Sequence, residues 1–493
     1  MNYGVVKYIL GWILVAEAAF LLVPGVVGLV YAENECVFYF ITAIICLCAG
    51  VLMAFRKPKK GGLYLKEGYF VVALGWILMS MFGAIPFVMT GEIPHYMDAV
   101  FETASGFSTT GATIINDLAI MSHASLFWRS FQHLLGGMGV FVFLSALLPM
   151  LGGNSMNLMK AESTGPSIDK LVPRLKDTAK ILYTLYLGMT TLECVILLIC
   201  GLNVFESLTL TFGTVGTGGF GLLNDSIASY SPAVQWTITV FMILSGVNYN
   251  LYFLLIMRKF RNAFKMEEVR LYLLTYFVSV VLVAINISKL YSTLSETIRY
   301  SAFQVATLLT STGYATTDFD QWPEFSKTVL IMVMIMGACA GSTGGGIKMS
   351  RVLIMFKSIR KQIQIFIHPR AVKKIKMDGN TIEHDVVRGT NAYICVFCII
   401  FALSVLLISI DECDFTTNFT AVLACFNNMG PGFNKVGPTC NYSFFSDFSK
   451  LVLVFDMLAG RLELFPMLIV FSPTVFKDTL SSVRRHAVSK KGK

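Results

Sequence analysis

A glycine-centred stretch, Gly106-Phe-Ser-Thr-Thr-Gly-Ala-Thr113, constrains this chain more than any other, because weaker copies return three times. They are Thr217-Gly-Gly-Phe220, Ser311-Thr-Gly-Tyr314 and Asn428-Met-Gly-Pro431. With Gly111, Gly219, Gly313 and Gly430 in register, each copy follows an apolar segment too short to cross a bilayer. Each also lies between two segments long enough to cross. Four such loops at membrane depth can supply a ring of backbone carbonyls that replaces the water around a potassium ion. Glycine suits the task because turning successive carbonyls toward one axis takes backbone angles that a Cβ penalises. A lone Thr-Gly pair is also an ordinary turn signal; four in matching contexts argue for a repeated architecture.

Only 14% of the residues are charged and the mean hydropathy is +0.67, where a soluble protein carries roughly 25% charged residues. The chain therefore reads as a multi-pass membrane protein. Its net charge of +9 does not point to nucleic acid, because the basic residues are grouped. They crowd Arg56–Lys60, Lys160–Lys180, Arg258–Arg270, Lys348–Arg388 and the tail from Lys477, whereas Leu202 to Thr237 holds none. That asymmetry places the basic loops and both termini in the cytoplasm, with the lipid bilayer of the cytoplasmic (inner) membrane as partner. The cysteines read as small hydrophobes. Cys395-Val-Phe-Cys398 has redox spacing but lies in an apolar helix without a neighbouring strand. Cys413 and Cys440 fall on the outer side, where they could pair.

The apolar run from Lys7 to about Val30 exceeds the roughly 7–15 residues of a signal-peptide core and reads as a retained span. With a second span, about Val37–Ala54, it forms an N-terminal hairpin over residues 1–66. Four units follow, over 67–160, 161–265, 266–375 and 376–493, each reading span, short helix, glycine loop, span. The spans are Tyr69–Val88 and Leu126–Leu151, Ile181–Cys200 and Val234–Met257, Leu271–Leu290 and Thr328 to about Ile359, and Tyr393–Ile410 and Leu451–Phe471. The short helices are Met97–Gly106, Val204–Phe212, Glu296–Leu309 and Phe415–Phe426. The fold expected is an all-α membrane protein with ten spans, its four units in pseudo-fourfold order around one pore. Potassium would meet Thr109, Thr110 and Gly111, then Thr217, Gly218 and Gly219, then Ser311, Thr312 and Gly313, then Asn428, Met429 and Gly430. Each half-helix should enter from outside and aim its partly negative C-terminal end at the axis. Outer acids without many evident partners (Glu92, Asp98, Asp225, Asp318, Asp320, Glu324) would concentrate cations at the mouth or simply be solvated.

One span is interrupted by Gly337-Ala-Cys-Ala-Gly-Ser-Thr-Gly-Gly-Gly-Ile-Lys348, whose five glycines would each cost a helix about 1 kcal/mol relative to alanine. Non-helical backbone at this depth must line a cavity or be buried in protein. The segment, chiefly Gly341, Ser342, Thr343, Gly344, Gly345, Gly346 and Lys348, is expected to face the conduction path just inside the ring. It is not a phosphate-binding loop, because Ile347 separates glycine from lysine and no strand precedes it. In the last span, Gly460-Arg-Leu-Glu463 carries a charge that should face the bundle interior. Arg461 could hydrogen-bond the carbonyls of the interrupted segment, or be neutralised by Glu463 or Asp456. Arg129 and His133, at the outer start of their helix, read as snorkelling side chains. Glu193, within a span, has no partner that sequence identifies.

These residues resemble a known family. Thr109-Thr-Gly-Ala-Thr113, Trp128-Arg with Gly136-Gly-Met-Gly139, Ser311-Thr-Gly-Tyr-Ala-Thr-Thr-Asp-Phe319, Ala340-Gly-Ser-Thr-Gly-Gly-Gly-Ile-Lys348, Asn427-Asn-Met-Gly-Pro-Gly432 and Gly460-Arg-Leu-Glu-Leu-Phe-Pro466 are similar to motifs of the TrkH family. Its members are the membrane subunits of bacterial Trk potassium uptake systems, within the Trk/Ktr/HKT superfamily. The likeness includes the leading hairpin, which favours TrkH over the shorter KtrB type. It implies potassium uptake, with K+ as the transported ion and no organic cofactor. It also implies a homodimer with one pore per subunit and a cytosolic nucleotide-binding ring, TrkA, that controls opening. On this resemblance 337–348 is an intramembrane gate, with Arg461 beside it. Sodium-preferring relatives carry serine at the first filter glycine, so Gly111 implies preference for potassium. Gly218 departs from the threonine of the first and third loops.

A secondary transporter, coupling K+ to H+ or Na+, would show inverted repeats and an intramembrane carboxylate; the same-sense repeat disfavours it. No catalytic constellation emerges from the six histidines, so no enzyme is expected. Lys59, Arg258 and Lys373 should face the cytoplasm, and Asn224 and Asp320 the outside. Impermeant labelling of single cysteines in a cysteine-free background checks this; outside labelling at position 258 would overturn the arrangement.

Overall fold

Two apolar helices, Tyr3–Val30 and Cys36–Ala54, fold back on one another at the start of the chain. In this computed structural model residues 3–56, 58, 65–137, 139, 175–370 and 373–470 are described. Lys59, most of the Lys160–Lys180 group, the far half of the expected Leu126–Leu151 span and the tail from Lys477 lie outside them. The hairpin closes tightly because small residues meet at its crossing. A Cβ on Gly11 would lie 2.6 Å from the Gly50 carbonyl oxygen, and one on Gly50 would lie 2.7 Å from that of Gly11. Close backbone approach of this kind is how helices associate where no water drives them together.

Among the described residues, six helices are long and apolar enough to cross a membrane. Four short helices, Tyr96–Phe107, Val204–Val215, Leu294–Leu309 and Phe415–Phe426, stand where half-helices were expected. None reaches the length of a crossing. Three have side-chain N-caps: Asn203 with a reciprocal Glu206, Thr293 accepting from the Glu296 N–H, and Asp414 accepting from that of Thr417. The single small sheet among the described residues pairs Lys376–Met377 with Asn380–Thr381.

The spans that follow the glycine loops correct the expectation of a single interruption, at 337–348. Val234–Met257, expected to be continuous, is two helices, Pro232–Ser245 and Tyr249–Ile256, bent by 88°. Here Gly246 packs where a Cβ would meet the Tyr272 hydroxyl and the Thr310 methyl, and Asn248 restarts the chain by capping the Asn250 N–H. Helices Glu324–Met336 and Met349–Ile367 flank the 337–348 segment. The last span also breaks, between Asp447–Arg461 and Phe465–Val470, with Glu463 and Leu464 at φ 63° and 58°. In the first unit, helix His123–Gly137 ends ahead of Gly139, whose φ is 79°. Interruption is thus a recurring device and is not confined to the third unit. Cys413 and Cys440 are free, as are the other cysteines.

The hairpin crossing generates a prediction. Gly50→Val should destabilise the folded protein by about 1–3 kcal/mol, the usual cost of overpacking. Thermal unfolding in detergent reads it, and an unchanged midpoint would mean the hairpin adapts freely.

Candidate ion pathway

All four half-helices end in the same cap. The N–H groups of Thr110, Gly218, Thr312 and Met429 donate to carbonyls five residues back, on Ser105 (2.9 Å), Gly213 (2.8 Å), Thr307 (2.8 Å) and Ala424 (2.8 Å). The residue before each donor, Thr109, Thr217, Ser311 or Asn428, sits at φ 56°, 54°, 56° or 55°. This is a Schellman cap, which normally places glycine at the left-handed position. A side chain there costs about 1–2 kcal/mol. Two residues after each of these left-handed residues come Gly111, Gly219, Gly313 and Gly430, at φ 80°, 75°, 92° and 80°. Residues of positive φ therefore flank one that is not, Thr110, Gly218, Thr312 or Met429, in each loop, an alternation that lets successive carbonyls face one side.

The loops meet in cyclic order. A Cβ on Gly111 would strike the Gly218 carbonyl oxygen of the second loop; one on Gly219 would strike that of Thr312, and one on Gly313 that of Met429. A Cβ on Gly430 would lie 2.9 Å from the carbonyl oxygens of Thr110 and Gly111, closing the circle. Glycine is thus required twice over, by its dihedral angle and by the oxygen that occupies its Cβ position. Outside the ring the following loops are stitched in the same order. Leu118 N–H donates to Asn224 Oδ1 (2.8 Å), Ile227 N–H to the Ala315 carbonyl (2.9 Å), Asn434 N–H to Asp320 Oδ2 (3.2 Å) and Tyr442 N–H to the Thr113 carbonyl (2.9 Å). They surround a vestibule of about 140 Å³ whose floor includes the four glycines.

Two residues read as snorkelling are structural centres of this ring. Arg129 is 1% exposed and faces Glu102, 0% exposed, at 2.8 Å. Glu102 also accepts from the Thr113 hydroxyl (3.0 Å) and the Ile114 N–H (3.0 Å), which orients the exit of the first loop. His133 Nδ1 lies 2.9 Å from the Gly106 carbonyl, and its Nε2 accepts from the Phe220 N–H (3.2 Å). Those partners define a neutral imidazole with the proton on Nδ1, bridging the first and second units. The His133 ring also fills the space into which a Cβ on Gly218 would project. The second loop therefore has glycine where its neighbours have threonine, and the angles of Thr217 and Gly219 keep it in register.

The outer acids have more partners than sequence suggested. Glu92 accepts from the Ser122 N–H (2.6 Å), Asp98 pairs with Lys450 (2.6 Å), Asp225 accepts from Ser229, and Asp318 accepts from the Asp320 N–H (3.1 Å). Lys327 lies 3.6 Å from Asp320 and 3.3 Å from Glu324. They brace turns rather than stand free. Asp414, joined to Asp320 through Asn434, belongs to the same set: hydrogen bonds from the Thr417 hydroxyl, and next from its N–H and the Asn434 amide, hold its carboxyl down at about 2.

The 337–348 segment lies against the third and fourth glycine loops. The Gly345 N–H donates to the Ser311 hydroxyl; a Cβ on Gly344 would lie 2.8 Å from the Thr310 carbonyl oxygen, and one on Gly345 would strike that of Asn427. Lys348, at φ 76°, turns its ammonium back to the Gly344 carbonyl. Arg461 donates to the carbonyls of Thr343 (2.7 Å), Gly137 (2.7 Å) and Gly136. Glu463 and Asp456, weighed as its counter-charges, are engaged by Arg351 and by the Ser404 hydroxyl (2.8 Å) respectively. Behind the segment, the Cys339 N–H donates to the Gly246 carbonyl (3.0 Å), the Tyr249 N–H to that of Gly341 (3.1 Å) and the Ala340 N–H to buried Glu268 (2.6 Å). Sequence had singled out neither Glu268 nor Glu102. Glu193 is fully buried, within its span.

The profile of the TrkH family, described as "Cation transport protein", matches residues 36–481. The Trk system potassium uptake protein TrkH of Escherichia coli K12 is 32% identical over 486 residues, covering 97% of this chain and 100% of that protein. The Trk system potassium uptake protein TrkG of the same organism is 32% identical over 477 residues, 95% of this chain and 97% of that one. The crystal structure of the potassium transporter TrkH from Vibrio parahaemolyticus superposes with a TM-score of 0.86 at 29% identity, over 96% of this chain and 99% of that chain. The chain belongs to the TrkH family of cation transport proteins.

Proposed function

We propose that this protein is the ion-conducting subunit of a Trk-type potassium uptake system in the cytoplasmic membrane. The closed ring of four glycine loops carries the proposal. Its members, Thr109–Gly111, Thr217–Gly219, Ser311–Gly313 and Asn428–Gly430, would act as the selectivity filter, their carbonyls replacing the hydration shell of K+. Four half-helices converging on it would add the partly negative ends of their dipoles, so the site needs no carboxylate. The names of the relatives support potassium as the ion, and glycine at all four positions fits that preference. The same kinship supports a homodimer with one pore per subunit, a TrkA-type cytosolic ring as regulator, and cytoplasmic termini. Rubidium flux into liposomes down its own gradient, with no second solute supplied, tests conduction. A proton- or sodium-coupled symporter on the same scaffold is the second reading, favoured by buried Glu193; it would require a driving gradient of the coupled ion.

Gly111→Ser should lower the ratio of rubidium to sodium uptake. The added side chain meets the Gly218 carbonyl and resists the left-handed angle, displacing one quadrant of the ring. An unchanged ratio would show that the ring lies elsewhere.

The 337–348 segment would be the gate, lying across the path beneath the ring and held by Arg461 in front and Glu268 behind. Replacing Gly344-Gly-Gly346 with alanines biases it toward helix by about 1 kcal/mol per residue and sets Cβ atoms against the Thr310 and Asn427 carbonyls. Flux per folded protein should rise, and Arg461→Ala should act in the same direction. If these glycines serve only close packing, a well-folded triple-alanine protein will conduct less, and the gate assignment fails.

A further inference from the structure

Away from the ion path, helix Met349–Ile367, the small hairpin at 376–381 and the start of helix His384–Ile408 enclose a concave pocket of about 490 Å³. Lys361, Lys373, Lys374, His384 and Arg388 line it, against one carboxylate, Glu383. Lys373 donates to Gln364 (2.8 Å). Among the described residues, Lys361, Lys374 and Arg388 have no carboxylate partner, whereas Lys357, one turn earlier on the same helix, is paired with Glu267. The concavity thus holds uncompensated positive charge over an apolar floor of Ile375, Ile382 and Val387.

The same helix carries a second signal. Phe356, Ile359, Ile363 and Phe366, spaced by three or four residues, are 54%, 49%, 54% and 86% exposed. That stripe, beside a basic pocket and within the basic stretch Lys348–Arg388, has the pattern of a helix seated at a membrane surface. A cationic hollow next to a lipid-facing stripe recognises a phosphate ester tethered to acyl chains. We infer that this pocket binds the phosphate of an anionic phospholipid headgroup, in the leaflet facing the basic loops. The apolar stripe accounts for the chains and the unpaired cations for the phosphate; a free phosphate would use only the second. This site is separate from the proposed filter and gate, and its occupancy can be measured without ion flux.

Thermal unfolding of the delipidated full-length protein in neutral detergent tests it, with short-chain phosphatidylglycerol, short-chain phosphatidylcholine or inorganic phosphate added. Phosphatidylglycerol should raise the midpoint, and the other two should do so little. In the Lys361→Gln/Lys374→Gln/Arg388→Gln protein the half-saturating concentration should rise about fivefold per charge removed. Lys361→Arg/Lys374→Arg, which keeps the charge, should respond like the parent. An equal response in the triple-glutamine protein overturns the site. Phosphatidylcholine matching phosphatidylglycerol overturns recognition of headgroup charge, and inorganic phosphate matching it reassigns the pocket to a soluble anion and overturns the lipid.

Discussion

A left-handed residue at the end of each short helix is the constraint on which the rest of the structure depends. Thr109, Thr217, Ser311 and Asn428 occupy a conformation that side chains avoid, and such strain persists only where the surroundings over-determine it. Here they do so from three sides. The six-to-one hydrogen bond locks the cap from behind, the next loop's carbonyl sits against the glycine two residues on, and the loops that follow tie down the segment beyond. Release of any one loop would leave a gap beside the glycine of its neighbour. The ring therefore holds as a unit.

The four quadrants reach this common backbone with different side chains. Glu102 and Arg129 brace the first, and the His133 ring occupies the space a second-loop threonine would need. In the fourth, Asn428 donates both to the Thr110 hydroxyl (3.0 Å) and to the Met457 carbonyl (2.8 Å), fastening the last loop to the first. The third and fourth quadrants have the 337–348 segment pressed against them, through Thr310 and Ser311 on one and Asn427 on the other. Geometry is shared while chemistry is local. A buried pair such as Glu102–Arg129 is weak evidence of stability, since desolvation offsets much of its attraction, but its extra bonds to Thr113 and Ile114 make it a good positioning device.

Much of this was readable from the residues. Length and apolarity announced the hairpin and half-helices, and the glycines at 111, 219, 313 and 430 announced the loops. What sequence hid was mostly pairing across long separations. Arg129 looked like a snorkelling side chain because Glu102 lies 27 residues earlier on a different helix. For Arg461 the sequence left two readings open, the carbonyls of the interrupted segment or Glu463 two residues on; it bonds the Thr343 carbonyl, and Glu463 meets Arg351 112 residues away. The break at 246–248 rests on Gly246 and Asn248 in a largely apolar run, too faint a signal against a helical background. The caps at Thr109 and Thr217 were illegible for a different reason: threonine is a poor choice for left-handed backbone, so no propensity argument would place it there.

The close fit of Gly218 beneath His133 has a consequence for how this molecule can vary over time. A pore assembled from four identical chains alters all its walls at once with every inherited change, so its ion preference shifts in large jumps. Here each wall has its own codons and its own supporting residues. A change at His133 frees room beside Gly218 and removes its contact with the Gly106 carbonyl, so it acts directly on two units and not on all four, which allows finer adjustment through many viable intermediates.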